Sequence, residues 1–167
     1  MSKATITAVT AREILDSRGN ATIQVTVACE RVGNSCLPAG RFGGPSGAST
    51  GSREARELPI PQAIANVTGE IATALVGMDA ADQRALDTAL IELDGTPDKS
   101  HLGGNAMIGV SIAAAKAAAM QGPSLHEYLR SLMPDIAPSH RVPFLAMNLI
   151  NGGKHAAGRL AFQEYKI

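Results

Sequence analysis

The sequence has few aromatic residues, few cysteines and no excess of charge of either sign. It contains two Tyr, three Phe and no Trp in 167 residues, which predicts an aliphatic core with closely packed small side chains. Fifteen Lys and Arg balance fifteen Asp and Glu, so the overall charge gives no attraction to nucleic acid or to an anionic membrane. No apolar run approaches the ~20 residues that a membrane-spanning helix needs. Partners therefore have to be inferred from local sites.

The two cysteines, Cys29 and Cys36, are close enough in sequence to close a small hairpin in an oxidising compartment. No charged and then apolar leader opens the chain, and residues 1–7 already have the composition of a strand. We therefore expect both thiols to be free, in a cytoplasmic protein.

The first part of the chain has the pattern of strands. Residues 6–15 and 21–29 carry β-branched residues with partial alternation, and the turn-forming residues 16–20 separate them. This pattern predicts a β-hairpin. A third strand is expected near 35–38, before a loop at 40–51 that is rich in Gly, Ser and Thr.

From residue 62 the apolar period changes to that of helices. The first helix is predicted to end at Gly77, with one apolar face made of Ile64, Val67, Ile71, Ala74 and Leu75. Asp79 is the expected N-cap of a second helix that stops at 94–97. An almost wholly apolar, buried helix is predicted over 105–121, and Ser124 is expected to cap a short fourth helix that ends near 132.

The composition changes again at 134–143, where three prolines occur and the helical periodicity ends. This change predicts a domain boundary. An apolar run of strand length follows at 144–150, and a last short strand is expected over 160–167. The predicted domains are 1–139 and 140–167.

Three segments have compositions that suggest chemistry. The loop 45–51 offers hydroxyls and backbone amides that could wrap an anion or place a serine oxygen on Mg²⁺, although a surface linker has the same composition. His155 follows an apolar strand and two glycines, where barrel loops hold ligands, but a lone histidine is often structural or solvated. Gln163 and Glu164 adjoin on a short apolar strand, so alternation would turn one of them inward.

Five sequence blocks, in this order, resemble the enolase family. They are EILDSRGN at 13–20, PSGASTGSREA at 45–55, LDGT at 93–96, NGG with His155 at 151–155, and the Gln163–Glu164 pair. The resemblance runs from about residue 5 to residue 167 and covers well under half of a full-length enolase. It implies an α+β fold, in which 1–139 form an N-terminal capping domain with a three-stranded antiparallel sheet on helices. Residues 140–167 would then be the first two strands of an incomplete TIM-type β/α barrel.

The resemblance also implies roles for individual residues. Ser49 matches a serine that helps to bind a second Mg²⁺. His155 matches a histidine that approaches the substrate phosphate, and Glu164 matches a catalytic glutamate near the leaving hydroxyl. The remaining substrate-binding positions, in the mobile lid and beside Glu164, are Ser46, Gly47, Ala48, Thr50 and Gln163. In the family the lysine base and the main metal carboxylates lie on later barrel strands, and they have no counterpart here.

These implications predict half of a Mg²⁺-dependent, enolase-type hydro-lyase that dehydrates 2-phosphoglycerate or a related phospho- or phosphono-carboxylate. A separate C-terminal barrel chain would complete the site, and the N-terminal domain would support a higher oligomer, without nucleic acid or membrane partners. The alternatives are a non-catalytic relict capping domain that acts as an interaction protein, and a truncated enzyme. The chain has Ala21 where the family usually has proline. The unusually short segment after Leu58 favours a diverged natural paralogue over simple truncation, since truncation does not edit loops.

Overall fold

The computed structural model of the protein describes residues 4–16, 19–31, 39–43, 55–122, 124–135, 137, 144–151 and 164–167. The chain divides into two compact units, Met1–Pro134 and Asp135–Ile167. The described part of the first unit is an α+β domain with a three-stranded antiparallel sheet of order β1-β2-β3 and helices.

The sheet begins with the predicted hairpin, β1 (Ala4–Leu15) and β2 (Ala21–Arg31). On β2 the buried apolar residues alternate strictly: Ile23, Val25, Val27 and Cys29. On β1 the buried residues Ile6 and Val9 are three apart, because a register shift between Ile6 and Ala8 inserts one extra residue. The bulge keeps both apolar sets on the same face of the sheet.

The third strand, β3 (Ala39–Gly43), pairs with β2 and lies later in the chain than predicted. The predicted location, 35–38, is outside the described residues, and the prediction that 40–43 belong to a loop is wrong. Gly40 and Gly43 hide the side-chain alternation that identifies a strand. The backbone ladder with β2 does not depend on that alternation.

The first predicted helix is α1 (Ile60–Asn66), a π-helical turn (Val67–Ile71) and α2 (Ala72–Leu75) in direct succession. Its fully buried residues are Ala63, Val67, Ile71 and Leu75, each four positions after the last, whereas Ala74 is exposed. A regular period of 3.6 would rotate this stripe around the helix. The π turn has more residues per turn and keeps the stripe on one side.

Helix α3 (Gln83–Asp94) is capped by Asp82, whose Oδ1 accepts a hydrogen bond from Ala85 N at 3.1 Å. The prediction of Asp79 as its N-cap is wrong. The Asp79 Oδ1 accepts instead from Ala4 N at 2.8 Å and from Ala81 N at 3.0 Å, so this carboxylate ties the start of β1 to the loop before α3.

Helix α4 (Gly104–Ala119) packs against β2, β3, α3 and α5, and most of its residues are buried. A Cβ at Gly109 would come within 2.7 Å of the Val25 Cγ2, so the missing side chain lets this helix approach the sheet closely. Helix α5 (Leu125–Ser131) starts at the predicted Ser124, in a capping box with Glu127. Among the described residues, no helix is long and apolar enough to cross a membrane.

In the second unit, β4 (Asn148–Asn151) and β5 (Glu164–Lys166) form a two-stranded antiparallel sheet. Strands of a regular β/α barrel are parallel, so the described residues do not show the start of a barrel. The apolar run before and within β4 is exposed, with Phe144 at 104%, Leu145 at 80% and Leu149 at 61%.

Candidate functional site

Most of the residues predicted to bind substrate or metal lie outside the described residues. This applies to Ser46, Gly47, Ala48, Ser49, Thr50, His155 and Gln163. Glu164 is described at the level of the backbone: it opens β5 and is the register partner of Asn151, at the end of β4. The ladder therefore pairs Asn151, the first residue of the NGG block, with Glu164. The roles of all the site residues, Glu164 included, stay predictions.

The first family block is a turn fixed by its own side chains. The Asp16 N–H donates to Asn20 O at 2.8 Å, and the Asp16 Oδ1 accepts from Asn20 N at 2.8 Å. Gly19 has φ +81°, a conformation that glycine adopts without strain. These contacts give Asp16 and Asn20 a structural role in joining β1 to β2.

The LDGT block is a second turn, and it is organised around the buried Asp94. Its carboxylate accepts hydrogen bonds from Leu102 N at 2.8 Å, from Thr96 N at 3.0 Å and from the Thr96 hydroxyl. Burial opposes ionisation here, but the hydrogen bonds from Thr96 and Leu102, with the nearby Lys99, outweigh it and lower the pKa of Asp94. Gly95, at φ +64°, ends α3 in the left-handed conformation. This block shapes the connection from α3 to α4.

The residues that follow the glycine-rich loop are held against that same connection. Arg56 N donates to Asp98 O at 2.6 Å, and Gly104 N donates to Arg56 O at 2.8 Å. Two residues on, Leu58 exchanges two hydrogen bonds with the side chain of Asn105. Sequence reasoning identified Asn105 only as the start of a helix, and the preceding Gly103–Gly104 pair was the signal that could have marked a close approach here.

Within the part of the chain that the structure describes, no group of three or more His, Cys, Asp or Glu side chains could hold a metal ion. The Cys29 thiol is free and buried, and burial, followed by the nearby Asp79 carboxylate, raises its pKa to about 11. Such a thiol is protonated at neutral pH and is not a metal ligand or nucleophile in this state.

A shallow groove runs between α3 and α4. It is lined by Asp87, Leu90, Ile91, Met107, Ile108 and Ser111. Its two polar groups already have a partner, since the Gln83 Nε2 donates to Asp87 Oδ1 at 3.1 Å and lies 2.9 Å from the Ser111 Oγ. The groove therefore lacks the convergent, available polar groups of a catalytic centre.

The sheet, its helical cover and the two structured family blocks define an α+β domain of the enolase N-terminal kind. The family model "Enolase, N-terminal domain" matches residues 6–129. An enolase of Rubrobacter xylanophilus is 48% identical over 174 aligned residues, a match that covers 97% of this chain and 38% of that enolase. The chain therefore belongs to the enolase family, and it spans less than two fifths of the length of this curated relative.

Proposed function

We propose that this chain is the N-terminal part of an enolase-type hydro-lyase, and that it acts when a separate chain supplies the barrel. Its substrate would be 2-phosphoglycerate or a related phospho- or phosphono-carboxylate. The observation that carries the proposed enolase-type activity is the 48% identity to an enolase along 97% of this chain.

The second unit supports assembly with such a partner. Leu145, Met147 and Leu149 are more than half exposed, at 80%, 54% and 61%. Among the described residues, β4 and β5 form a sheet of two strands, and a sheet of this size with exposed apolar residues is not stable alone. A barrel-bearing chain would cover these residues.

In the assembled site, Glu164 would lie near the leaving hydroxyl, with Gln163 beside it, and His155 would approach the substrate phosphate. Ser49 would offer one oxygen to Mg²⁺, with Ser46, Gly47, Ala48 and Thr50 closing over the substrate. The described residues do not by themselves fit a Mg²⁺ site, since they contain no cluster of ligating side chains. The partner would supply the main metal ligands, as the family resemblance implies, and we derive no step through the ion.

The test is to mix this chain with the barrel segment of a related enolase and to measure complex formation by size-exclusion chromatography and formation of the enol product by absorbance. The isolated chain should show no turnover, and the pair should be active. His155→Ala and Glu164→Gln should each lower the rate of the pair on the order of a hundredfold without weakening assembly.

Assembly itself is tested by Leu145→Asp and Met147→Asp. Because both side chains are exposed in the chain alone, a charge there should leave the chain folded and abolish the complex. The matched control is Ile91→Asp, at a 51% exposed position of the first unit, which should leave assembly intact. Turnover by the chain alone, or unchanged rates in both site variants, would overturn the proposal.

The alternative is a non-catalytic interaction protein that docks through the same strand. The exposed apolar residues of β4 suit this role equally, because docking requires no metal ligands. A pair that forms a stable complex and turns over none of these substrates would support this alternative and reject the half-enzyme.

A further inference from the structure

We propose that Asn105 is a positioning residue that fixes where the chain re-enters the first unit after the glycine-rich loop. Its Oδ1 accepts a hydrogen bond from Leu58 N at 3.3 Å, and its Nδ2 donates to Leu58 O at 3.0 Å. One side-chain amide thus pairs with both backbone groups of one residue, as a neighbouring β-strand would.

A second pair of hydrogen bonds holds the same segment two residues earlier. Arg56 is fixed between Asp98 O, at 2.6 Å from its backbone N, and Gly104 N, at 2.8 Å from its carbonyl oxygen. Arg56 is thus held by backbone groups of the connection before α4, and Leu58, two residues on, by the side chain of Asn105.

Gly103 makes room for this arrangement. Its φ is +93°, and a Cβ there would lie 2.8 Å from the Asn105 Oδ1 and 3.0 Å from the Leu58 Cγ. A side chain at position 103 would therefore crowd both partners of this contact. The Asn105 Oδ1 also accepts from Ala106 N, in the first turn of α4, at 3.1 Å. Helix capping does not account for the two bonds to Leu58, since the N-cap residue is Gly103 and it forms no side-chain cap.

We call the two hydrogen bonds between Asn105 and Leu58 the clamp. Asn105 belongs to a rigid element, because α4 is buried against the sheet along most of its length. A side chain on such an element holds a connected segment more precisely than a loop contact does. The held segment begins at Ala55, four residues after the block 45–51. The consequence for catalysis rests on the proposed function: by fixing this return point, Asn105 would help to set the position from which Ser49 serves the site.

The first experiment uses Asn105→Asp in the full chain. A carboxylate keeps an acceptor for Leu58 N–H but loses the donor to Leu58 O, whereas a protonated carboxyl regains one O–H donor. We expect the hydrogen-exchange protection factors of the Leu58 and Gly104 amides to fall about tenfold at pH 7 and to recover below the pKa of the new carboxyl.

The control is Asn66→Asp, which removes another asparagine that bonds to backbone. The Asn66 Nδ2 lies 3.1 Å from His101 O and 3.0 Å from Leu102 O, and it makes no contact with residues 55–59 that the structure records. This variant should leave the Leu58 and Gly104 amides protected at both pH values. Trypsin cleavage after the exposed Arg56 should accelerate in Asn105→Asp and not in Asn66→Asp.

Equal exchange at Leu58 in both variants, or a loss of protection spread evenly over β1 and α4, would overturn the clamp. In the assembled pair, Asn105→Ala should lower kcat/KM about tenfold relative to Asn66→Ala, with unchanged assembly. If exchange at Leu58 increases in Asn105→Asp but kcat/KM is the same for Asn105→Ala and Asn66→Ala, the positioning role is wrong. If the unmodified pair is inactive, the proposed function and the positioning role fail together, while the exchange data still decide the clamp.

Discussion

The carboxylate of Asp94, the last residue of α3, accepts a hydrogen bond from the backbone N–H of Leu102 at 2.8 Å. Leu102 is fully buried, and Asp94 is 3% exposed. This contact joins the end of one helix to the segment that leads into the next, and it places in the interior a carboxylate whose pKa is lowered.

Replacing Asp94 by Asn should lower the free energy of unfolding by about 1–3 kcal/mol at pH 7, because the buried N–H groups lose a charged acceptor. The folded-state pKa of Asp94 lies below its ordinary value of 3.8. Its contribution is therefore present above that value and is lost as the pH falls through the folded-state pKa. Urea unfolding at pH 7, 5 and 3 measures the free energy of unfolding of both chains. The difference between Asp94→Asn and the unmodified chain should be smaller at pH 3 than at pH 7. Glu92→Gln, at an exposed position of the same helix, is the control, and a pH-independent difference would contradict this account.

Two buried glutamines should respond with opposite signs to the same substitution. Gln121 is 9% exposed, and both polar atoms of its side chain lack a hydrogen-bond partner among the described residues. Gln83, at 7%, donates to Asp87 and lies within hydrogen-bonding distance of Ser111. Gln121→Met should raise the free energy of unfolding by about 1–3 kcal/mol because it removes an unsatisfied amide. Gln83→Met should lower it. Chemical denaturation gives the free energy of unfolding of both variants. A loss of stability in Gln121→Met would show that this amide has a partner.

Two helical glycines should separate helix propensity from packing. A Cβ at Gly69 would meet open space, so Gly69→Ala should stabilise the chain by about 0.5–1 kcal/mol. Gly109→Ala would push against the Val25 Cγ2 at 2.7 Å and should destabilise it by about 1–3 kcal/mol. Thermal unfolding of the two variants gives the comparison. Equal stabilisation by both would mean that α4 and β2 shift apart at little cost.

The number of thiols that react with a thiol reagent should differ between the folded and the denatured protein. Because Cys29 is buried and its pKa is raised to about 11, it should be unreactive towards a thiol reagent at pH 8 until the chain is unfolded. Denatured protein should give two free thiols, as expected from the sequence, and native protein at least one fewer. Loss of both titratable thiols in denatured protein that was purified without added oxidant would instead indicate a disulfide between Cys29 and Cys36.

The helices and the hairpin could be predicted because their signals are local. Leu86 and Leu90 mark the buried side of α3, Ser124 marks the start of α5, and the turn-forming residues 16–20 separate β1 from β2. The two structured family blocks were also identified from sequence, although the structural roles of Asp16 and Asp94 emerged only from their contacts.

The sequence by itself determined the hairpin and the order of the helices, because periodicity and turn chemistry act over a few residues, and the family blocks, whose resemblance implied the α+β class. Tertiary structure decided features that depend on distant partners. Asp79 bonds to Ala4, 75 residues away, in place of capping a helix, and β3 is defined by its ladder with β2 rather than by its own alternation. Asn105 likewise gains its role from Leu58, 47 residues before it. Whether such distant groups pair depends on the free energy of the whole folded arrangement relative to its alternatives, and no local sequence pattern encodes that difference.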